Sequence, residues 1–298
     1  MTRSHLLLSI ALSCAACAAD AAAPPDDPAS AELTACWVET GQASVAGFGE
    51  FTASGVLLRS AGGELLLLDG GASTMFQEEI EVYSGDDRIF LEAVVGLLAP
   101  SVSLPDALAE VGYDAGELDR FAATHVHVDH VGGVMDLPDL PVLMPPAEIE
   151  LLRRGLDEVL FEVVPAHAER IAPIAQPLEL TGPPVAGFDA SADLFGDGSA
   201  VAVPMPGHTP GSIGVLLELP GGRRVLHVGD ALSSLEQLEA DVGKAFPLDR
   251  TDSDPDVALE IVHRLHALAE DDPALEILPA HDRVAWRAVF GAPGACID

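Results

Sequence analysis

The sequence predicts an α/β domain, on three observations. Apolar runs of strand length alternate with stretches whose apolar residues recur at helical spacing, and Gly and Pro clusters punctuate the boundaries. His125, His208, Asp230 and His281 each fall just beyond a predicted strand, where α/β sheets carry functional loops. A chain of 298 residues with 49% hydrophobic content can bury the core of one catalytic-sized domain.

Taken in order, residues 1–19 read as a signal peptide of ordinary or lipoprotein type. Arg3 precedes the apolar run Leu6 to Leu12, which is too short to anchor in a bilayer, and small residues with Cys14 and Cys17 follow. Ala15 and Ala16 precede Cys17 as in a lipidation signal, yet neither cysteine has leucine three positions upstream, so lipid anchoring and simple release both stay open. The expected location is outside the cytoplasm: periplasmic, membrane-tethered or secreted. Residues 20–34, rich in Ala, Pro and Asp, are expected to be a disordered tether, and residues 35–298 the folded domain. Cys36 and Cys296 then remain at its two ends, a pair that either forms a disulfide in an oxidising compartment or stays as two buried thiols.

Val56 to Leu58 and Leu65 to Leu68 read as strands joined at Gly62-Gly63, the second ending at Asp69-Gly70-Gly71. Pro105 to Val111 reads as a short helix, Phe121 to Thr124 as a strand, and Pro145 to Leu160 as a helix with Ile149, Leu152, Leu156 and Leu160 on one face. Residues 165–200 lack periodicity and are expected to form an irregular, lid-like insertion. Strands follow at Val201 to Val203, Ile213 to Leu219 and Arg224 to Val228, the first leading into the turn Pro206-Gly207-His208. A helix over Pro255 to Leu268, capped by Ser253 or Asp254, turns Val257, Ile261, Leu265 and Leu268 inward. Strand Glu276 to Leu278 then runs into Pro279-Ala280-His281.

The net charge of −34 comes from 48 acidic residues against 14 lysines and arginines, and Lys244 is the only lysine. Such a field repels polyanions, so nucleic acid and anionic membrane faces are excluded as partners, and any membrane contact is expected only through an N-terminal lipid.

The stretch "ATHVHVDHVGG", residues 123–133, packs four ligand-type residues into six positions: His125, His127, Asp129 and His130. In an extended or turning segment, residues two apart point the same way, so the first two histidines can hold one ion while Asp129 and His130 address another. Imidazole and carboxylate select zinc-like ions, with iron and manganese left open. The remaining histidines read as bland: His227 packs in a strand, His263 and His266 form a lone helical pair, and His5 and His167 have no assigned role.

"THVHVDHVGG" resembles the HxHxDH signature of the metallo-β-lactamase superfamily, and "PMPGHTPGS", "VLHVGDAL", "LPAHD" and the upstream "LLLLDGG" are similar to its other motifs, in order, over about residues 37–290. The resemblance implies a four-layer αββα sandwich with two Zn2+ ions at one edge. It assigns His125, His127 and His208 to metal one, Asp129, His130 and His281 to metal two, and Asp230 to a bridge. Asp69 and Thr124 would support the ligands. Two ions about 3.5 to 4 Å apart can share and activate a hydroxide that attacks a carbonyl, with Asp129 passing its proton to the leaving group.

The expected function is therefore an exported dinuclear hydrolase of a small ester-like or lactone substrate. Asp230 stands where one group of β-lactamases has cysteine, and His127 where oxygen-reducing relatives have glutamate. Lactonases similar to this chain often carry tyrosine three residues past the bridging aspartate, where Ser233 stands. A β-lactamase or thioesterase of the same superfamily, or a non-catalytic exported metal-binding module, are the alternatives.

Overall fold

Four leucines in succession, Leu65–Leu68, form a strand that serves two cores: Leu66 and Leu68 enter one apolar cluster, Leu65 and Leu67 the other. Residues of a strand alternate in direction, so an unbroken apolar run means a sheet covered on both faces. The computed structural model describes residues 33–46, 49–154 and 163–298. The expected signal at 1–19, nearly all of the tether and the end of the helix expected over Pro145 to Leu160 lie outside the described residues.

The strands are β1 (Thr34–Val45), β2 (Gly49–Arg59), β3 (Leu65–Leu68), β4 (Arg120–Ala122), β5 (Val142–Met144), β6 (Ala175–Pro177), β7 (Ala192–Asp193), β8 (Ala200–Pro204), β9 (Ile213–Leu219), β10 (Arg223–His227), β11 (Leu275–Leu278) and β12 (Cys296–Ile297). One sheet runs β12-β1-β2-β3-β4-β5-β6 and the other β11-β10-β9-β8-β7. In the first, β12 to β3 pair antiparallel and β3 to β6 parallel; in the second only β10 and β11 are parallel. The helices are α1 (Phe76–Glu79), α2 (Gly85–Ala93), α3 (Leu104–Glu110), α4 (Val128–Val131), α5 (Pro146–Arg154), α6 (Pro165–Ile171), α7 (Leu235–Ala240), α8 (Pro255–Asp271) and α9 (Arg283–Phe290).

The sheets pack face to face through Val56, Leu58, Leu66 and Leu68 against Ala202, Val215, Leu217 and Val225. The outer face of the first sheet meets α3 and α5 through Leu57, Leu67, Leu108 and Ile149, and the outer face of the second meets α8 through Leu226, Ile261 and Leu265. The architecture is the four-layer αββα sandwich that the motifs imply. Asp254 caps α8 by accepting the Val257 N–H. The inward face of that helix is Ala258, Ile261, Val262 and Leu265, with Val257 and Leu268 half-buried at its margin.

Residues 165–200 correct the expectation of an irregular insertion: α6, β6 and β7 lie there, and β6 and β7 each close one edge of a sheet. These elements are two to seven residues long, too short to register as periodicity. Likewise β1 went unread, although its Ala35, Trp37 and Val38 are fully buried. Cys36 and Cys296 are neighbours across the β1/β12 register and form a disulfide that closes 260 residues of chain. Among the described residues no helix is long and apolar enough to cross a membrane.

Candidate metal centre

Strand ends bring the candidate residues together. Asp69 follows β3, Thr124 to His130 follow β4, His208 lies in the β8–β9 turn, Asp230 follows β10 and His281 follows β11. All lie at one edge of the sandwich. Two glycines permit the approach. A Cβ on Gly133 would stand 2.3 Å from the Gly70 carbonyl oxygen, so the segment after α4 can press on the end of β3 only without a side chain. Gly207 has φ +124 and would meet the Ala258 backbone nitrogen at 2.4 Å, so the His208 turn rests directly on α8.

Three sets of ligand-type atoms lie mutually within 4.8 Å: His125, His127 and His208; His125, His130 and Asp230; Asp129, His130 and His281. In the first, His208 Nε2 is 2.8 Å from His127 Nδ1 and 3.2 Å from His125 Nε2, and those two are 3.0 Å apart. In the third, His130 Nε2 and His281 Nε2 are 3.1 Å apart, with Asp129 Oδ2 at 3.4 Å from the latter. Asp230 joins them, one oxygen 3.3 Å from His130 and from His281, the other 3.4 Å from His208.

Hydrogen bonds on the far side of each ring fix which nitrogens converge. Thr124 Oγ1 donates to Asp69 Oδ2 at 2.7 Å, so it accepts from His125 Nδ1 at 3.0 Å. His130 Nδ1 donates to Asp69 at 2.9 Å, His281 Nδ1 to the Thr52 carbonyl at 2.8 Å and His208 Nδ1 to Asp252 at 3.0 Å. In their neutral forms these rings would present Nε2 lone pairs to other ligand-type atoms about 3 Å away. Such an array repels itself unless cations sit among the nitrogens. Ligands about 2.0 to 2.1 Å from a tetrahedral zinc stand roughly 3.3 Å apart, close to the spacing found. The buried Asp230 Oδ1 has no hydrogen-bond partner either. The residues fit two divalent ions.

Burial, reinforced by the neighbouring rings, holds His125 and His127 well below the ordinary imidazole range, in the neutral form that coordinates. Burial also acts on His130, but Asp230 and Asp69 outweigh it and hold that ring well above the range. Burial opposes ionisation of Asp230, yet His281 and His130 keep its carboxyl well below the carboxylate range.

Asp69 and Thr124 thus touch His125 and His130 from behind. Asp69 has φ +57, tolerable for aspartate, and its other oxygen accepts the Thr124 N–H at 2.8 Å. His227 packs edge-on to Trp286 with centroids 5.8 Å apart, and lies outside the three sets. His263 and His266 bond to Asp241 and the Leu238 carbonyl, tying α8 to α7. His167, left without a role in the sequence, is buried and 3.0 Å from Glu79. His5 lies outside the described residues.

A profile of the metallo-β-lactamase superfamily matches residues 49–281. The chain belongs to the metallo-β-lactamase superfamily. Within that superfamily it is similar to the N-acyl homoserine lactonase AttM of Agrobacterium fabrum, 24% identical over 63% of this chain and 67% of that protein. It is also similar to the probable metallo-hydrolase Mb2322c of Mycobacterium bovis, 28% identical over 59% of this chain but only 58% of that protein's length. The fold is similar to AiiA of B. thuringiensis, a structure with N-decanoyl-L-homoserine bound at the active site. The TM-score is 0.61 and the identity 20%, over 86% of this chain and 95% of that one. The superfamily and these relatives support a metal-dependent hydrolase.

Three residues that the sequence did not single out complete the centre. Glu148, on α5, accepts the N–H of Val126 at 3.0 Å, the N–H of Gly211 at 2.7 Å and the Thr209 hydroxyl at 2.8 Å, clamping the two loops that carry His125, His127 and His208. Burial pushes its carboxyl up to about 7. Lys244 and Asp252 stand behind His208, on the segment between α7 and α8. No motif marks them; only the rarity of lysine in this chain was a signal. An apolar cavity of about 270 Å³ opens beside the ligands, walled by Phe90, Leu91, Val94, Val95 and Leu98 on one side and Leu248 on another.

Proposed function

We propose that the protein is a dinuclear metal-dependent hydrolase of small neutral esters or lactones with an apolar acyl group, acting outside the cytoplasm. The observation that carries this reading is the convergence of seven imidazole and carboxylate side chains at the mouth of an apolar cavity. His125, His127 and His208 would hold one ion, Asp129, His130 and His281 the other, with Asp230 between them; zinc suits this donor set. Ions so held would supply an activated water and polarise the scissile carbonyl.

The chain's own side chains do the rest. The apolar wall receives the acyl chain and keeps water from it. Asp129 lines the cavity beside His281, placed to take a proton and return it to the leaving alkoxide. Ser233 also lines the cavity, but its hydroxyl donates to Gln237 at 2.9 Å, so it does not replace a tyrosine at that position as a free donor. The charge of −34 disfavours polyanionic substrates. The N-terminal reading, together with the Cys36–Cys296 disulfide, supports an oxidising compartment.

The test is turnover of acyl lactones, esters, phosphodiesters and β-lactams by the metal-loaded protein and by Asp230→Ala. Lactone or ester turnover lost in the variant is expected. Turnover confined to phosphodiesters or β-lactams overturns the proposal.

A further inference from the structure

The only lysine in a chain of charge −34 is spent at the back of a candidate metal ligand. Its side chain is 3% exposed, its Nζ lies 2.6 Å from Asp252 Oδ1, and the Asp252 side chain is 6% exposed. A buried ammonium is costly unless paired, so the pair is an unusual investment for a structural contact alone. The same Asp252 oxygen accepts from His208 Nδ1 at 3.0 Å, and Lys244 Nζ stands 2.8 Å from that ring nitrogen. With His208 Nε2 turned to an ion, Nδ1 carries hydrogen and only donates. Its acceptor is then Asp252, and the ammonium is a cation set against the imidazole.

The two halves of the centre are built differently in this respect. His130 donates to Asp69, whose other close donors are the Thr124 hydroxyl and N–H, both neutral. His208 donates to a carboxylate whose charge Lys244 neutralises. A carboxylate behind a ligating imidazole raises its donor strength, and a cation on that carboxylate takes the gain away. The three-histidine group has no carboxylate of its own beyond the shared Asp230.

Resting on the dinuclear reading above, we propose that Lys244 is a positioning and tuning residue: through Asp252 and His208 it keeps the ion of the three-histidine group loosely held and strongly electrophilic. Lys244 also lines the cavity with Pro247, Leu248 and Thr251 of the same segment. The wall that meets the substrate's acyl group therefore also carries the charge that sets the ion's acidity.

The experiment is chelator competition on the two-zinc protein, with kcat and KM for an acyl lactone measured alongside. Lys244→Met keeps the bulk and removes the charge. It is expected to hold one of the two ions about tenfold more tightly, with kcat lowered and KM within about twofold of the parent. Lys244→Arg keeps the charge and is expected to hold both ions as tightly as the parent. A merely structural lysine would loosen an ion or leave both unchanged on removal, and either result in folded Lys244→Met overturns the proposal, as does Lys244→Arg behaving like Lys244→Met. Should Lys244→Met not fold, Lys244→Gln carries the same expectation, with the same outcomes deciding. A parent that holds fewer than two ions overturns the dinuclear reading itself, and is seen before any variant is compared.

Discussion

Asp69 accepts the Nδ1 hydrogen of His130 at 2.9 Å, a fully buried carboxylate fixing a fully buried ring. Asp69→Asn keeps the size and tolerates the left-handed backbone, but exchanges an anionic acceptor for an amide. The affinity for one of two ions is expected to fall about 10- to 100-fold. Chelator competition measures this, and unchanged affinity for both ions would contradict it.

Glu148 gives a prediction in pH. Its native carboxyl stands at about 7 against an ordinary 4.5, so the native state binds the proton more tightly than the unfolded chain. The stability it contributes therefore declines as pH rises from about 4.5 and levels off above about 7. Glu148→Gln cannot titrate. Across that window the stability difference between variant and parent is expected to move toward the variant by about 2 to 3 kcal/mol. Denaturant unfolding at matched metal content, at several pH values, reads the slope; a flat difference would show that Glu148 does not titrate there.

Part of the candidate ligand set was legible from spacing, in the run from His125 to His130, while His208, Asp230 and His281 were marked by the resemblance of their short motifs to those of the superfamily. His208 and His281 are distant in sequence, yet each sits in a Pro-flanked turn after an apolar run. Glu148, Lys244 and Asp252 were not legible, because their roles arise from contacts with ligand-bearing segments 22 to 63 residues away, with no local pattern to announce them. The sandwich order was likewise implied by resemblance, while β1, β6, β7 and β12 were missed. The edge strands β6, β7 and β12 are two or three residues long, too few to show alternation, whereas β1 is 12 residues long but its first half is buried on both faces and so does not alternate.

The disulfide between Cys36 and Cys296 joins residues 260 apart in sequence. Cys36→Ser with Cys296→Ser is expected to lower stability by about 2 to 5 kcal/mol on the chain-entropy account. Reductant added to the parent should reproduce the loss and add nothing in the double variant.

Acyl-chain selection should reside in the wall formed by residues 90–98. Val94 lines the cavity and is half-buried, so Val94→Phe takes up room that two or three methylenes would occupy. With about 0.8 kcal/mol for each buried methylene, kcat/KM for long-chain lactones is expected to drop tenfold or more, with short-chain lactones little changed. Equal losses on both would place the acyl group elsewhere.

The most direct test of the centre is elemental analysis of the purified protein beside His127→Ala and Asp230→Ala. Two divalent ions per chain in the parent, with fewer in both variants, is the predicted result. A folded parent that retains no metal after exposure to zinc, or variants with the parent's full content, would contradict the assignment of these side chains as ligands.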